Sequence, residues 1–276
     1  MTFDLVVLGL LIIVNVLNHS PYVAQRWYVP TGIVGSALIV WIGYRAGVTL
    51  SDIGLGPNSW IPGLIWSAGC IALVTSVYVI GGSMTFTRRF LADDRAVLGP
   101  RTLAYKVLVN VPLGTVLFEE LAFRGVGLAL LAQWFPLWQA VLYSSLLFGF
   151  WHILPSLVMH DANAAVGDLL GQGIWGRLQS VLLTVLGTAI AGVVFCLLRI
   201  QSDSLLPPMA LHWAINGLGF IAASWVHRRA GPDLGVLPCR FRRLTDSDAL
   251  VSRSGRLAPR AQPAQPAFGC RPRPGV

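Results

Sequence analysis

Seven long apolar stretches occupy most of the first 226 residues of this 276-residue chain. Only 12% of the residues are charged, against roughly 25% in soluble domains, and a helix needs about 20 apolar residues to cross a bilayer. Because a backbone in lipid must satisfy its own hydrogen bonds, each stretch is predicted to be a helix. The sequence therefore predicts an all-α fold, a polytopic transmembrane helix bundle of about seven or eight spans. The predicted spans are 3–17, 27–44, 60–81, 107–134, 137–159, 181–198 and 205–226.

Most of the 20 lysine and arginine residues lie in two segments outside these spans. Five lie from Arg88 to Lys106, between the third and fourth spans, and ten follow His227. Seven spans put both segments on the same side of the membrane, and basic flanking segments stay in the cytoplasm. We therefore predict an integral protein of the plasma membrane whose 83–106 loop and C-terminal tail are cytoplasmic.

The character of the sequence changes after Val226. Residues 227–276 contain ten arginines and many prolines but little to bury, which predicts a disordered basic tail after a transmembrane domain at 1–226. These arginines are not interleaved with a folded aromatic surface, so membrane lipid is an expected partner and nucleic acid is not. The four cysteines have no C-x-x-C spacing, which argues against a zinc ribbon and a disulfide framework.

Five ionisable side chains lie inside the predicted spans, away from the span ends: Glu119, Glu120, Arg124, His152 and His212. A charge at that depth costs about 2.5–3.5 kcal/mol on insertion scales, so such residues are candidates for a functional site. Glu120 and Arg124 are four residues apart and can pair on one helix face. Glu119 is turned by about 100° from Glu120 and has no cation on its own helix.

One unpaired carboxylate and two histidines on separate helices can hydrolyse a peptide bond. Glu119 can take a proton from water that attacks the carbonyl, and a histidine with an asparagine, such as His212 and Asn216 four residues later, can stabilise the oxyanion. Alternatively, Glu119, His152 and His212 ligate a divalent metal such as zinc, which activates the water itself. The residue types permit both mechanisms, so the cofactor is either a divalent metal or none.

Three short strings in separate apolar stretches carry a specific resemblance to a known family. They are Glu119-Glu120-x-x-x-Arg124, Phe148-x-x-x-His152 and His212-x-x-x-Asn216. In this order they resemble the EExxxR, FxxxH and HxxxN motifs of the CPBP family. That family comprises the type II CAAX prenyl endopeptidases and related bacterial bacteriocin-processing and immunity proteins, including those similar to lysostaphin resistance protein A. The similar core covers about 107–220 of this chain.

The resemblance implies a bundle of transmembrane helices around a polar cavity, with catalytic residues from three helices. By the resemblance, Glu119 activates water with the assistance of His152, and His212 and Asn216 stabilise the oxyanion. The implied activity is that of an intramembrane endopeptidase of the CAAX prenyl protease type. Members are often named metalloproteases, although a metal-independent glutamate mechanism is also proposed for the family.

The resemblance also implies supporting roles for Glu120, Arg124 and Phe148 around the catalytic residues. The implied partner is a peptide or protein substrate, which is lipidated for the eukaryotic relatives. Nothing in the sequence itself identifies a prenylated substrate.

Two non-proteolytic hypotheses stay open beside the peptidase. The glutamate and histidine cluster could serve a transporter that relays protons or holds an ion, although no internal repeat of the kind many transporters have is evident. The chain could also be a catalytically inactive immunity or scaffold protein on the same helix bundle.

The predicted spans leave one conflict between the two histidines. His152 falls near the cytoplasmic end of the fifth span and His212 near the outer end of the seventh, so their depths differ by about 10 Å. We therefore expect either a misplaced helix end or an additional segment within 162–175.

Overall fold

The structure, a computed structural model, describes residues 2–20, 24–162, 171 and 173–230. These residues form helices and no β-strand, so the predicted all-α class is confirmed. Of the predicted basic tail, only 227–230 falls within the described residues, and they belong to the last helix. The predicted disorder of the rest of the tail, and most of the suggested extra segment at 162–175, lie outside the described residues.

The first three predicted spans are each a single helix. They are α1 (Thr2–His19), α2 (Ala24–Arg45) and α3 (Trp60–Ser83). A short helix, α4 (Thr85–Leu91), follows α3 in the basic segment.

The fourth predicted span lies in a continuous helical run over 100–134, which we name the central helix. Every residue from 118 to 126 is buried, because other helices surround the middle of this run. Two parts of it are π-helical, a rare geometry that often occurs at functional sites. In chain order its segments are α5 (Pro100–Tyr105), π1 (Lys106–Val116), α6 (Leu117–Glu120), π2 (Leu121–Val126) and α7 (Gly127–Trp134).

The last three predicted spans are also helical, and two of them are built from more than one segment. The fifth is divided at His152 into α8 and α9, and the seventh contains a third π-helical segment. In chain order the segments are α8 (Leu137–Trp151), α9 (Ile153–Ala162), α10 (Ile174–Gln201), α11 (Leu206–Trp213), π3 (Ala214–Leu218) and α12 (Gly219–Ala230).

The outer surface of the bundle is apolar. On α3, the side chains of Ile61, Ile65 and Leu73 are 73%, 69% and 64% exposed. A helix that presents apolar side chains on its outer face needs lipid around it. The chain is therefore an integral membrane protein. Five described helical stretches are long and apolar enough to cross a membrane: Arg26–Arg45, Pro57–Ser83, Leu137–Leu157, Ile174–Gln201 and Leu206–Arg229.

Glycines allow the central helix and α2 to pack with their backbones close together. A Cβ atom on Gly114 would lie 2.5 Å from Cδ1 of the Tyr28 ring. A Cβ atom on Gly32 would lie 2.5 Å from the carbonyl oxygen of Leu113. Small residues at such contacts are typical of membrane helix pairs, because van der Waals packing drives their association.

A buried arginine joins the loop after α2 to the turn before α11. Arg199, at the end of α10, donates from Nη2 to the carbonyl oxygen of Asp52 at 2.8 Å. The backbone N–H of Leu205 donates to the carbonyl oxygen of Gly54 at 2.9 Å. These bonds hold the start of α11, the helix that carries His212, against the α2–α3 loop.

Candidate active site

The two glutamates lie in α6, a single helical turn between π1 and π2. Their exposed fractions are 6% for Glu119 and 0% for Glu120. A carboxylate removed from water needs partners that offset its lost hydration. The two side chains have different partners, and that difference separates their chemistry.

Glu120 contacts both Arg124 and His212 in a buried cluster of ionisable side chains. Its Oε1 accepts a hydrogen bond from Nη1 of Arg124 at 3.2 Å, which is the pairing that the four-residue spacing predicts. The same oxygen lies 2.7 Å from Nδ1 of His212 on α11. Because a carboxylate oxygen accepts, Nδ1 carries the proton and donates. Glu120 therefore joins the central helix to the seventh span and sets the direction of the His212 ring.

Aromatic rings hold the other surface of Arg124. Its Cζ lies 3.9 Å from the centroid of the Phe148 ring and 4.7 Å from that of Phe195. A guanidinium stacked over aromatic faces gains a cation–π interaction that is stronger away from water. Phe148 thus supports Arg124 directly, and Phe195 on α10 also packs against the His212 ring, with 5.5 Å between centroids.

Within the described residues Glu119 pairs with no cation of the central helix, and an indole holds it instead. Trp151 donates from Nε1 to Oε1 of Glu119 at 2.9 Å. The other oxygen, Oε2, is buried, and no described residue donates a hydrogen bond to it. It lies 3.9 Å from Nε2 of His212, which is too long for a direct hydrogen bond. Oε2 of Glu119 and Nε2 of His212 therefore face each other with neither engaged elsewhere among the described residues.

His152 lies at the break between α8 and α9, partly exposed. Its Nδ1 lies 2.8 Å from the carbonyl oxygen of Phe148, so Nδ1–H donates and Nε2 is left as the acceptor in the neutral ring. The Phe148 ring contacts both histidines, with centroid distances of 4.5 Å to His152 and 6.1 Å to His212. The two imidazoles therefore lie near each other, around one shared aromatic ring.

Helix continues on both sides of His152. Pro155 does not end the span, because α9 continues to Ala162 and Pro155 lies in its first turn, where proline is tolerated. His152 is therefore followed by about three more helical turns rather than by a loop. The candidate membrane span that contains His152 is Leu137–Leu157, so the expected place of His152 near a span end stays a prediction.

Asn216 lies in π3, beside a different cavity. This cavity has a volume of about 230 Å³, and Tyr78, Asp93, Arg95 and Phe220 also line it. Within the described residues, Asn216 makes no hydrogen bond to the glutamates or histidines. In π3 the backbone bonds run from i to i+5, so a four-residue spacing places side chains differently from an α-helix. The oxyanion role of Asn216 stays a prediction.

The donor atoms do not fit a metal ion. Within the described part of the chain, no three His, Cys, Asp or Glu side chains come together in a way that could hold one. The bonds made by Nδ1 of both histidines and by Oε1 of Glu119 leave Nε2 and Oε2 as the atoms directed at the site. The lack of a three-residue cluster among the described residues is therefore the one observation against a metal. The alternative in which Glu119, His152 and His212 ligate zinc does not fit this arrangement, and no step below depends on a metal.

Three residues at the site are absent from the sequence prediction: Trp151, Phe195 and Asn15. Asn15 on α1 donates from Nδ2 to the carbonyl oxygen of Trp151 at 3.0 Å. The sequence contained a reason to consider Asn15 and Trp151, because an asparagine amide and an indole N–H inside apolar spans both need hydrogen-bond partners. Nothing in the sequence distinguished Phe195, because it is one apolar residue among many on α10.

A comparison with protein families agrees with the motif residues. The family model described as "Type II CAAX prenyl endopeptidase Rce1-like" matches residues 101–218. The matched range includes all three motifs, from Glu119 to Asn216. The resemblance inferred from the motifs is therefore confirmed. No curated protein and no solved structure matches the chain.

Proposed function

We propose that this chain, whose residues 101–218 belong to the type II CAAX prenyl endopeptidase Rce1-like family, is an intramembrane endopeptidase in which Glu119 activates water. One observation carries the proposal. Oε2 of Glu119 faces Nε2 of His212 at 3.9 Å inside a buried cluster, and each side chain is held from its other end by a separate partner. Such preorganised polar groups in a low-dielectric site favour charge development during hydrolysis.

In the first step, Glu119 acts as a general base. Oε2 takes a proton from water as the water oxygen bonds to the carbonyl carbon of the substrate. The carbonyl double bond becomes a single bond, and its electron pair moves to the oxygen, which becomes an oxyanion. The indole N–H of Trp151 holds Oε1 during this transfer, so only Oε2 is available to the water.

His212 is the residue best arranged to stabilise the oxyanion. Its Nδ1–H donates to Glu120, and in the doubly protonated ring Nε2 carries a proton as well. Nε2–H then donates to the developing negative charge. Glu120 in turn is neutralised by Arg124, so the charge of the pair is balanced. Asn216 is proposed as a second donor to the oxyanion.

In the last step, the tetrahedral intermediate collapses. The electron pair returns to form the carbonyl, the carbon–nitrogen bond breaks, and the leaving amine takes the proton held by Glu119. His152, partly exposed at the α8–α9 break, assists this transfer through Nε2. The products are a peptide with a new carboxyl end and a peptide with a new amino end.

The substrate is proposed to be a peptide that carries a lipid chain, as the matched family's name indicates. An apolar groove of about 960 Å³ supports this proposal, because it runs beside the turn that carries the glutamates. Leu117, Leu121 and Val126 of the central helix form one wall, and α2 and Ile53 form the other. A buried alkyl chain gains about 0.8 kcal/mol per CH₂.

The proposed location is the plasma membrane, with the 83–106 loop and the C-terminal tail in the cytoplasm. Arginines in and beside these segments support this orientation by the positive-inside rule. A cysteine placed at Arg101 in a cysteine-free variant should react with an impermeant maleimide in inverted vesicles. The same cysteine should be protected in intact cells, and labelling in intact cells would contradict the orientation.

The activity is tested with purified protein in proteoliposomes. Peptides with and without a C-terminal prenyl group would be incubated with the wild-type protein, and cleavage products identified by mass spectrometry. Glu119→Gln is expected to lower the rate by at least about 100-fold, because it removes the base. Asp203→Asn is the matched control, because the Asp203 carboxylate is 88% exposed and pairs with Arg199 rather than with a residue of the proposed site. Equal rates for wild type and Glu119→Gln would contradict the proposed base.

A further inference from the structure

Two polar side chains outside the three motifs form a connected path to the proposed base. Asn15 on α1 donates from Nδ2 to the carbonyl oxygen of Trp151 at 3.0 Å. Trp151 then donates from Nε1 to Oε1 of Glu119 at 2.9 Å. Asn15 lies outside the segment that matches the family, 101–218, and Trp151 is not a motif position.

The path runs through the break between α8 and α9. His152 adopts φ −86° and ψ 4°, a conformation between the helical and extended regions. The last carbonyls of a helix lack partners within that helix, and the amide of Asn15 supplies one to the carbonyl of Trp151. Asn15 therefore holds the backbone at the residue that precedes His152.

Aromatic packing fixes the direction of the Trp151 side chain. Its ring contacts Phe118 at 5.7 Å and Phe123 at 5.8 Å between centroids, and the residue is only 7% exposed. A buried indole needs a partner for its N–H. In this pocket the partner is Oε1 of the proposed base, so the ring orientation fixes the position of that oxygen.

We infer that Asn15 and Trp151 are positioning residues that hold Oε1 of Glu119 and leave Oε2 directed at Nε2 of His212. This inference rests on the proposed function. Without the indole bond, the Glu119 carboxylate can rotate, and either oxygen can turn away from His212. Without the Asn15 bond, the backbone at the α8–α9 break is released, and Trp151 and His152 both lose their fixed positions.

The first test separates the indole bond from the bulk of the ring. Trp151→Phe removes the N–H but retains an aromatic ring, and we expect kcat to fall about 10-fold to 100-fold with little change in KM, because a hydrogen bond to an ionised group is lost. Trp213→Phe is the matched control, since the indole of Trp213 also donates within the bundle, to the carbonyl oxygen of Val107 at 3.0 Å. An equal loss of kcat in both variants, or none in Trp151→Phe, would overturn the inference.

The second test uses two asparagines on the same helix. Asn15→Ala is expected to lower kcat about 10-fold, because a buried carbonyl loses its donor. Asn18→Ala is the control, because Asn18 is also buried on α1 and makes no hydrogen bond to Trp151 or Glu119 among the described residues. If Asn15→Ala retained the wild-type kcat, the positioning role of Asn15 would be contradicted.

A spectroscopic measurement tests the indole bond without any substrate. The indole N–H resonance of Trp151, assigned in tryptophan-labelled protein by its loss in Trp151→Phe, should shift upfield in Glu119→Ala. The Trp213 resonance should not move. A Trp151 resonance that is unchanged in Glu119→Ala would overturn the inference. Should no variant or wild-type protein cleave any peptide while this shift is present, the proposed function fails and the contact stands.

Discussion

Nδ1 of His212 lies 2.7 Å from Oε1 of Glu120, the oxygen that also accepts from Arg124. The two adjacent glutamates are therefore not equivalent. Glu120 is engaged by a cation and an imidazole on two helices, and one oxygen of Glu119 receives no hydrogen bond from the described part of the chain. This division assigns charge balance to Glu120 and proton transfer to Glu119.

The first prediction compares the two glutamates. Glu120→Gln should lower both kcat and thermal stability, because Arg124 becomes a buried charge without its ion pair, a change that costs about 3–5 kcal/mol. Glu119→Gln should abolish cleavage with a much smaller effect on stability, because Glu119 has no such pair. The measurements are thermal unfolding in detergent and peptide cleavage. Equal destabilisation by both substitutions would contradict the division of roles.

Arg124→Lys should be poorly tolerated although the charge is retained. A guanidinium can donate to Glu120 while its flat face stacks on Phe148, and an ammonium cannot do both. We expect a lower melting temperature and a reduced kcat, measured on purified protein. Arg101→Lys, at an exposed position on α5, is the control and should match wild type. A wild-type melting temperature for Arg124→Lys would show that stacking contributes little.

Gly114→Ala should destabilise the bundle. The added Cβ would lie 2.5 Å from the Tyr28 ring, so the central helix and α2 must separate, at a cost of about 1–3 kcal/mol. Gly187→Ala on α10 is the matched control, because a Cβ there has nothing within 4 Å. It should be neutral or stabilising by up to about 1 kcal/mol, since alanine is the better helix former. Thermal unfolding of the two variants distinguishes them.

Asp52, in the loop after α2, should give a small pH-dependent contribution to stability. The backbone N–H and the hydroxyl of Thr49 donate to its carboxylate at 2.8 Å and 2.7 Å, and they hold the pKa of Asp52 below its ordinary value. A lowered folded-state pKa stabilises the fold above the unfolded-state pKa, and this contribution is lost as the pH falls through the folded-state pKa.

The melting temperatures of wild type and Asp52→Asn should therefore differ most at neutral pH. The difference should shrink as the pH falls below about 4. Thr49→Val keeps the carboxylate but removes the hydroxyl donor, and it should weaken this dependence on pH. A difference between wild type and Asp52→Asn that grows on acidification would contradict the expected sign.

Local patterns in the sequence determined the helical class, the approximate spans and the pairing of Glu120 with Arg124. Apolar length decides whether a segment enters lipid, and the helical period decides which neighbours share a face, so both follow from short stretches of chain. The three motifs also pointed to the family whose model matches residues 101–218. None of these conclusions needed the arrangement of one helix against another.

Only the tertiary structure decided which partner each polar atom receives. His212 binds Glu120, Trp151 binds Glu119, and Asn216 lines a separate cavity. The rotation and depth of each helix depend on how its whole surface packs, on π-helical segments and on the break at His152. These are interactions between residues far apart in the chain, and no local period encodes them.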